Sequence, residues 1–118
     1  MDKLKDIKAN IYSILNSVTY TVGNVVVYQQ YPKTGAEFPC ITFMISNDFP
    51  SYSLEPELNY QNTEITIDFW GKDSKTTSSM LADAEATLRE NGYLMQSSVY
   101  RIEDNGMSHI YTLFNFIS

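Results

Sequence analysis

A segment with a period of two, Tyr60–Gly71, is the feature that most limits what this chain can fold into. Apolar residues recur at Ile65, Ile67 and Phe69, and polar or charged residues occupy the positions between them. A period of two is the side-chain period of an extended strand, which turns every second residue toward the same face. The segment is therefore predicted to be a strand of a sheet that buries one face.

Further segments have the composition of strands. They are Val25–Tyr28, Phe38–Ser46, Tyr93–Glu103 and Met107–Ile117. The last two flank Asp104-Asn105-Gly106, and Asn-Gly is the preferred pair for a type I′ hairpin turn. Asn47–Asn59 carries two prolines and joins two of the predicted strands, so it is predicted to be a long loop or a protruding hairpin tip.

Two stretches have helical periodicity. Residues 2–18 begin with Asp2, which can act as an N-cap. They carry apolar side chains three and four positions apart, namely Leu4, Ile7, Ile11, Ile14, Leu15 and Val18. A second helix begins at Asp73 or Ser74, has a stripe of Met80, Leu81, Ala84 and Leu88, and ends at a left-handed Asn91-Gly92 cap. The order α-β-β-β-α-β-β predicts an α+β fold. We expect a mostly antiparallel sheet with both helices packed on one face, in one domain over residues 1–118.

Reactive side chains are scarce, with one cysteine and one histidine among 118 residues. Cys40 lies in a predicted core strand, where a free thiol is usually inert, and His109 is predicted to be a solvated or cross-strand polar residue. Glu64 and Asp68 would stand roughly 13 Å apart on one strand, farther than glycosidase carboxyl pairs. We therefore predict no catalytic residue, no metal site, no cofactor and no enzymatic activity.

The charge balance opposes nucleic-acid recognition. Eight basic residues against fourteen acidic ones give a net charge of −6, whereas binding to a phosphate backbone needs clustered lysine and arginine. Aromatic side chains on a sheet could stack single-stranded bases, but the same charges argue against it. No apolar run approaches the ~20 residues of a membrane span, so no membrane is expected as a partner.

The chain is rich in aromatic residues, at 14%. Those predicted to lie on the sheet face opposite the helices, with their apolar neighbours, are Met44, Tyr60, Trp70, Tyr100, Tyr111 and Leu113. A sheet with helices on one side normally presents a more polar face to water, and exposed tyrosine and tryptophan are typical of protein interfaces. The alternative is that these rings cap the sheet of a monomer.

In order and spacing, several motifs together resemble the small tail terminator, or tail completion, proteins of long-tailed bacteriophages. The resemblance covers essentially all 118 residues. After the amphipathic first helix it rests on NVVVYQQYPKTGAEFPCITF (24–43), TEITIDFWGKD (63–73), SSMLADAEATLRENGY (78–93) and DNGMSHIYTLFNF (104–116).

This resemblance implies a structural virion protein that assembles in the host cytoplasm. Such subunits form a hexameric ring at the head-proximal end of the tail tube, end tube polymerisation and allow head–tail joining. The implied partners are further copies of the chain, the tail tube protein and the head connector or neck protein. DNA only passes through the ring, and an acidic lumen would repel it.

We expect the subunit interface to include aromatic and apolar residues of the Asn47–Asn59 segment and of the helix-free sheet face, namely Phe49, Tyr52, Leu54, Trp70 and Tyr111. Glu64 and Asp68 are the candidates for acidic side chains that face the lumen. Alternatives are a neck or head-closure component of the same assembly, and a non-viral module that binds a peptide or small ligand. The ligand-binding module would be a stable monomer with a pocket.

Overall fold

The structure, a computed structural model, describes residues 3–29, 38–51, 60–103 and 105–117; for residues 3–6, 46–51, 60–62 and 117 it describes the backbone alone. The elements are α1 (Lys3–Ser17), β1 (Val26–Gln29), β2 (Cys40–Ser51), β3 (Tyr60–Gly71), α2 (Ser74–Glu90), β4 (Tyr93–Ile102) and β5 (Ser108–Ile117). The predicted order α-β-β-β-α-β-β and the α+β class are confirmed.

One sheet of five strands, in the order β1-β2-β3-β5-β4, organises these elements. β1 runs parallel to β2, and the β2–β3, β3–β5 and β5–β4 pairs are antiparallel. α1 contacts β1 and β2, whereas α2 contacts β3, β4 and β5. The long β3 lies at the centre, and β4 forms one edge of the sheet.

The core lies between the helices and one sheet face. Alternation in β3 places Ile65, Ile67 and Phe69 there, each with no exposed surface. From the helices, the fully buried residues facing them are Ile11, Leu15, Met80, Ala84 and Leu88. The predicted helical stripes and the predicted strand face therefore meet in one core, because each element is apolar on one side only.

Helix α2 begins and ends where its sequence signals predict. The Asp73 carboxylate caps it by accepting the backbone N–H of Thr76 at 2.8 Å, and this bond keeps the pKa of the carboxyl below its usual value. At the other end Gly92 has φ +90°, the left-handed conformation that glycine adopts without strain. Arg89 pairs with Glu85 one turn back at 3.2 Å, as expected from their spacing.

Strand β2 is longer than predicted. Its pairing with β3 continues through a bulge between Ile45 and Asn47 as far as the Ser51–Tyr60 pair. Residues 47–51 thus belong to a β2–β3 hairpin, which confirms the hairpin alternative for that part, and residues 52–59 lie outside the described residues.

The β4–β5 turn differs from the predicted type I′ turn. The Glu103 N–H donates to the Met107 carbonyl at 2.9 Å, and the Gly106 N–H donates to the Glu103 carbonyl at 2.8 Å. The predicted turn positions, 104–106, therefore close the hairpin, but as a three-residue loop and not as a two-residue type I′ turn. Gly106, with φ +84°, occupies the left-handed position that such longer loops need. In the described part of the chain, no helix is long and apolar enough to cross a membrane.

Candidate functional site

The structure places the predicted interface residues in different settings. Tyr52 and Leu54 lie outside the described residues. For Phe49, the structure shows only that the backbone pairs with Asn62 across the β2–β3 hairpin. Trp70 and Tyr111 lie on the helix-free sheet face, and both are only partly exposed.

Trp70 is held by contacts within its own chain. Its indole ring stacks on the imidazole of His109, with centroids 3.7 Å apart and planes 6° from parallel. Its Nε1–H donates to Thr42 Oγ1 at 3.0 Å, and Thr42 is 1% exposed. The indole thus joins β2, β3 and β5 on this face, where it stabilises the single subunit whatever else it contacts.

The two acidic residues predicted to face the lumen differ in their exposure to solvent. Glu64 lies on β3 and is partly exposed, so it remains a candidate. Asp68 is 2% exposed, and its Oδ1 lies 2.6 Å from His109 Nε2. This corrects the expectation for Asp68: its carboxylate is buried against a histidine, so it presents no charge at the surface of the subunit.

His109 is buried between two carboxylates. Its side chain is 7% exposed, Nε2 faces Asp68 and Nδ1 lies 2.8 Å from Glu103 Oε1. Of the two predicted alternatives the cross-strand polar residue is correct and the solvated one is wrong. The partners were missed because Asp68 is 41 positions away in the sequence and reaches His109 only through the β3–β5 register.

We call Asp68, His109, Glu103 and the stacked Trp70 the acid–histidine cluster. Its imidazole has no free nitrogen to offer a substrate as a base. Both imidazole nitrogens already face carboxylate oxygens, so neither has a lone pair directed at a nucleophile. Among the described residues, no three histidine, cysteine, aspartate or glutamate side chains could hold a metal ion.

Cys40 also lacks the features of a nucleophile. Its side chain has no exposed surface, and burial raises the pKa of the thiol to about 12. A thiol with that pKa is protonated at neutral pH, whereas attack requires the thiolate. The structure thus places Cys40 in the buried environment that the sequence predicted.

The most exposed apolar surface lies on the edge strand β4, where the sequence analysis did not place it. Among the large hydrophobic residues that are exposed in the described chain, five belong to β4: Leu94 (52%), Met95 (38%), Val99 (45%), Tyr100 (47%) and Ile102 (69%). We call these side chains, together with the backbone edge of β4 that no described strand pairs with, the β4 surface. Only one of the ten β4 residues, Arg101, carries a charge.

The β4 surface covers both sides of the strand. Val99 pairs with Tyr111 and lies on the helix-free face, whereas Tyr100 pairs with Ile110 of the core and lies on the helix side. Tyr100 was predicted on the helix-free face, and that prediction is wrong because a bulge between Met95 and Ser97 shifts the register. The sequence signal for a two-sided apolar strand was the pairing of adjacent apolar residues, Leu94-Met95 and Val99-Tyr100, in place of alternation.

A shallow depression adjoins the β4 surface on its helix side. It measures about 370 Å³ and is lined by Ser78, Leu81, Ala82, Glu85, Ala86 and Arg89 of α2 together with Met95. Three of the six α2 side chains there are small (Ser78, Ala82 and Ala86), and Met95 of β4 is left 38% exposed beside them. Apolar surface therefore continues from the strand onto the outer flank of α2.

The chain matches no protein-family profile and no curated protein sequence.

Proposed function

We propose that this chain is a structural subunit of a bacteriophage tail, which forms a ring at the head-proximal end of the tail tube, ends tube polymerisation and allows head–tail joining. The resemblance of the whole sequence to tail terminator proteins supports this proposal, and so does the α+β fold, which that resemblance implied. A neck or head-closure component of the same assembly is the alternative within this class.

The observation that carries the proposal is the β4 surface. Nine of the ten β4 residues are exposed, and the strand leaves one backbone edge unpaired in the described chain. Soluble monomers usually protect such an edge with charge, proline or a bulge, because it otherwise pairs with other chains. β4 has one bulge and one arginine, and its other nine residues are uncharged. This limited protection suits an edge strand that another chain covers in the assembled protein.

A ring provides that cover in a defined number of copies. When the β4 surface of one subunit meets a different surface of the next, the contact is heterologous and repeats around an axis until the ring closes. Every copy then has its β4 surface buried, and none remains free to recruit further chains. The resemblance implies that six copies close the ring, with the tail tube protein and the head connector as the further partners.

The proposal assigns no catalytic activity to the chain. His109 and Cys40, the residues best suited to nucleophilic or acid–base chemistry, are engaged by carboxylates and buried, respectively. The net charge of −6 supports a conduit that DNA passes without adhering, since like charges repel at short range. Glu64 is the candidate that we retain for the lumen.

Oligomer size in variants with a charged β4 strand tests the proposal. Val99→Lys places a charge on the 45% exposed β4 valine, and Val22→Lys makes the same change at a 37% exposed valine between α1 and β1. We expect the wild type and Val22→Lys to form rings in native mass spectrometry, alone or with the tail tube protein, and Val99→Lys to remain monomeric. Far-ultraviolet circular dichroism checks that both variants are folded.

Two results would overturn the proposal. If the wild type stays monomeric both alone and with assembled tube protein, the chain is not a ring subunit. If Val99→Lys assembles as well as Val22→Lys, the β4 surface is not the joint between subunits. A stable monomer whose melting temperature rises with a peptide or small ligand would favour the binding-module alternative.

A further inference from the structure

The acid–histidine cluster has a geometry that a neutral histidine cannot satisfy. Asp68 Oδ1 lies 2.6 Å from Nε2 of His109, and Glu103 Oε1 lies 2.8 Å from Nδ1. A neutral imidazole has one N–H and would turn a lone pair toward one of the two carboxylates, whereas the imidazolium donates to both. The arrangement therefore fits the protonated ring.

The surroundings of the ring also favour the cation. The Trp70 indole lies flat against the imidazole at 3.7 Å, where its π-face attracts positive charge. Burial alone lowers the pKa of His109, but the hydrogen bonds and charges of Asp68 and Glu103 outweigh it, so the net pKa lies above the usual value of 6.5.

In the described part of the chain, few other titratable groups face the cluster from the strands around it. Arg101 of β4 pairs with His109, Tyr111 of β5 pairs with Asp68, and Cys40 of β2 pairs with Trp70. The guanidinium of Arg101 is exposed and the Cys40 thiol is neutral at physiological pH, while both helices lie on the opposite face. Asp68 and Glu103 are therefore the charges that act on the ring at hydrogen-bonding distance.

The two carboxylates differ in their access to water, and this decides which contact fails first. The side chain of Asp68 is 3% exposed, whereas that of Glu103 is 39% exposed. Leaving a buried carboxylate without a donor costs far more than returning a half-exposed one to water. When His109 loses a proton, its remaining N–H therefore stays on Nε2 toward Asp68, and the Glu103 contact is lost.

Glu103 connects this chemistry to the edge strand. It directly follows Ile102, the last residue of β4, and its backbone closes the β4–β5 turn. We propose that Asp68, His109 and Glu103 form a proton-operated latch, in which the imidazolium fastens the end of β4 to the sheet and the neutral ring releases it. The latch rests on intramolecular geometry alone; its effect on assembly through the β4 surface rests on the proposed function.

The direction of the pH dependence follows from the raised pKa. A group whose pKa is higher in the folded state than in the unfolded state stabilises the fold fully below the unfolded value. The contribution of His109 to the stability of the fold is therefore complete below about pH 6.5. It is lost as the pH rises through the higher pKa that His109 has in the folded state. The latch is therefore closed in mildly acidic solution and opens as the pH rises through the folded pKa of His109.

Nitrogen-15 NMR of the imidazole tests the latch without ambiguity, because the chain has one histidine. In a titration from about pH 5 to about pH 10, both ring nitrogens should keep imidazolium shifts at pH values above 6.5, until the pH passes the raised pKa of His109. Nδ1 should then become the unprotonated nitrogen. Over the same range, amide exchange at Ile102 and Glu103, corrected for the intrinsic pH dependence, should accelerate about tenfold, as for a segment that opens locally.

Glu103→Gln removes one charge of the latch and leaves the buried Asp68 in place. It should lower the midpoint of the His109 titration by about one pH unit. The control Glu90→Gln changes an exposed glutamate at the end of α2 and should leave the midpoint unchanged. The latch is wrong if wild-type His109 titrates at or below pH 6.5, or if Glu103→Gln and Glu90→Gln behave alike.

The link to assembly has its own readout. With rings demonstrated for the wild type, raising the pH through the His109 midpoint should shift ring toward monomer, and Glu103→Gln should make that shift at lower pH. Rings that persist while His109 titrates as expected would leave the latch in place and refute its effect on assembly. If the wild type forms no rings, the proposed function is refuted. The NMR titration still tests the latch in that case, because it does not depend on assembly.

Discussion

Replacing Trp70 distinguishes a residue reserved for an interface from one that holds the subunit together. Trp70→Phe keeps an aromatic ring that can stack on His109, but it removes the indole N–H that donates to Thr42 Oγ1 at 3.0 Å. Thr42 is 1% exposed, so water does not readily replace that donor. We expect a loss of about 1 kcal/mol in the free energy of unfolding, the usual net value of one such hydrogen bond.

Trp70→Ser removes the stack and the packing of the ring as well. Truncation of a fully buried aromatic residue costs about 3–5 kcal/mol, and Trp70 is partly exposed, so we expect about 3 kcal/mol in total. Part of this loss is the stacked aromatic pair itself, worth about 1 kcal/mol. A marginally stable domain of this size would lose much of its stability.

Urea unfolding followed by far-ultraviolet circular dichroism measures both changes, because the substitutions remove the only tryptophan and with it the fluorescence signal. Tyr100→Ser is the control, since Tyr100 is 47% exposed on the edge strand, and it should cost less than about 0.5 kcal/mol in the monomer. Measurement at two protein concentrations separates unfolding from dissociation. If Trp70→Ser unfolds at the urea concentration of the wild type, the intramolecular role derived from the stack and the Thr42 bond is refuted.

Further variants test other parts of the structure. Thr77→Val leaves the buried hydroxyl of Ser108 without the partner that lies 2.8 Å away, so urea unfolding should show a loss of about 1–3 kcal/mol, and adding Ser108→Ala should recover much of it. Equal stabilities of the Thr77→Val single variant and the wild type would contradict the buried pairing. Because Cys40 is fully buried with a pKa near 12, a thiol-specific chromogenic disulfide should react with it slowly in the native protein and rapidly in urea. Rapid labelling of the native protein would show that β2 opens readily.

The helices and the central strand could be predicted from the sequence because their signals are local. β3 was predicted with its observed limits, Tyr60–Gly71, since the alternation from Thr63 to Phe69 fits a period of two and Gly71 ends the pattern. The start of α2 was predicted from a capping aspartate and its end from a glycine with positive φ, two features that act within one turn.

Strand lengths and registers were predicted less well because a partner strand determines them. β2 extends to Ser51 since β3 continues to offer it hydrogen bonds beyond the bulge at Ile45–Asn47. The bulge between Met95 and Ser97 reverses which residues of β4 face the helices. The adjacent apolar pairs indicate a two-sided strand, but they do not mark the position of the bulge. That single register shift moved Tyr100 to the helix side of the sheet.

By itself, the sequence determined that this chain would form an α+β sheet with two helices on one face, and that it would carry few reactive groups, because periodicity and composition are properties of neighbouring residues. Only the tertiary structure decided that Asp68 is buried, that His109 lies between two carboxylates, and that the exposed apolar residues collect on β4. Contacts between residues far apart in sequence, and the position of β4 at the edge of the described sheet, arise only when the sheet is assembled. The physical reason is that burial and protonation depend on every element packed around a side chain, whereas helix and strand formation depends mainly on the residues beside it.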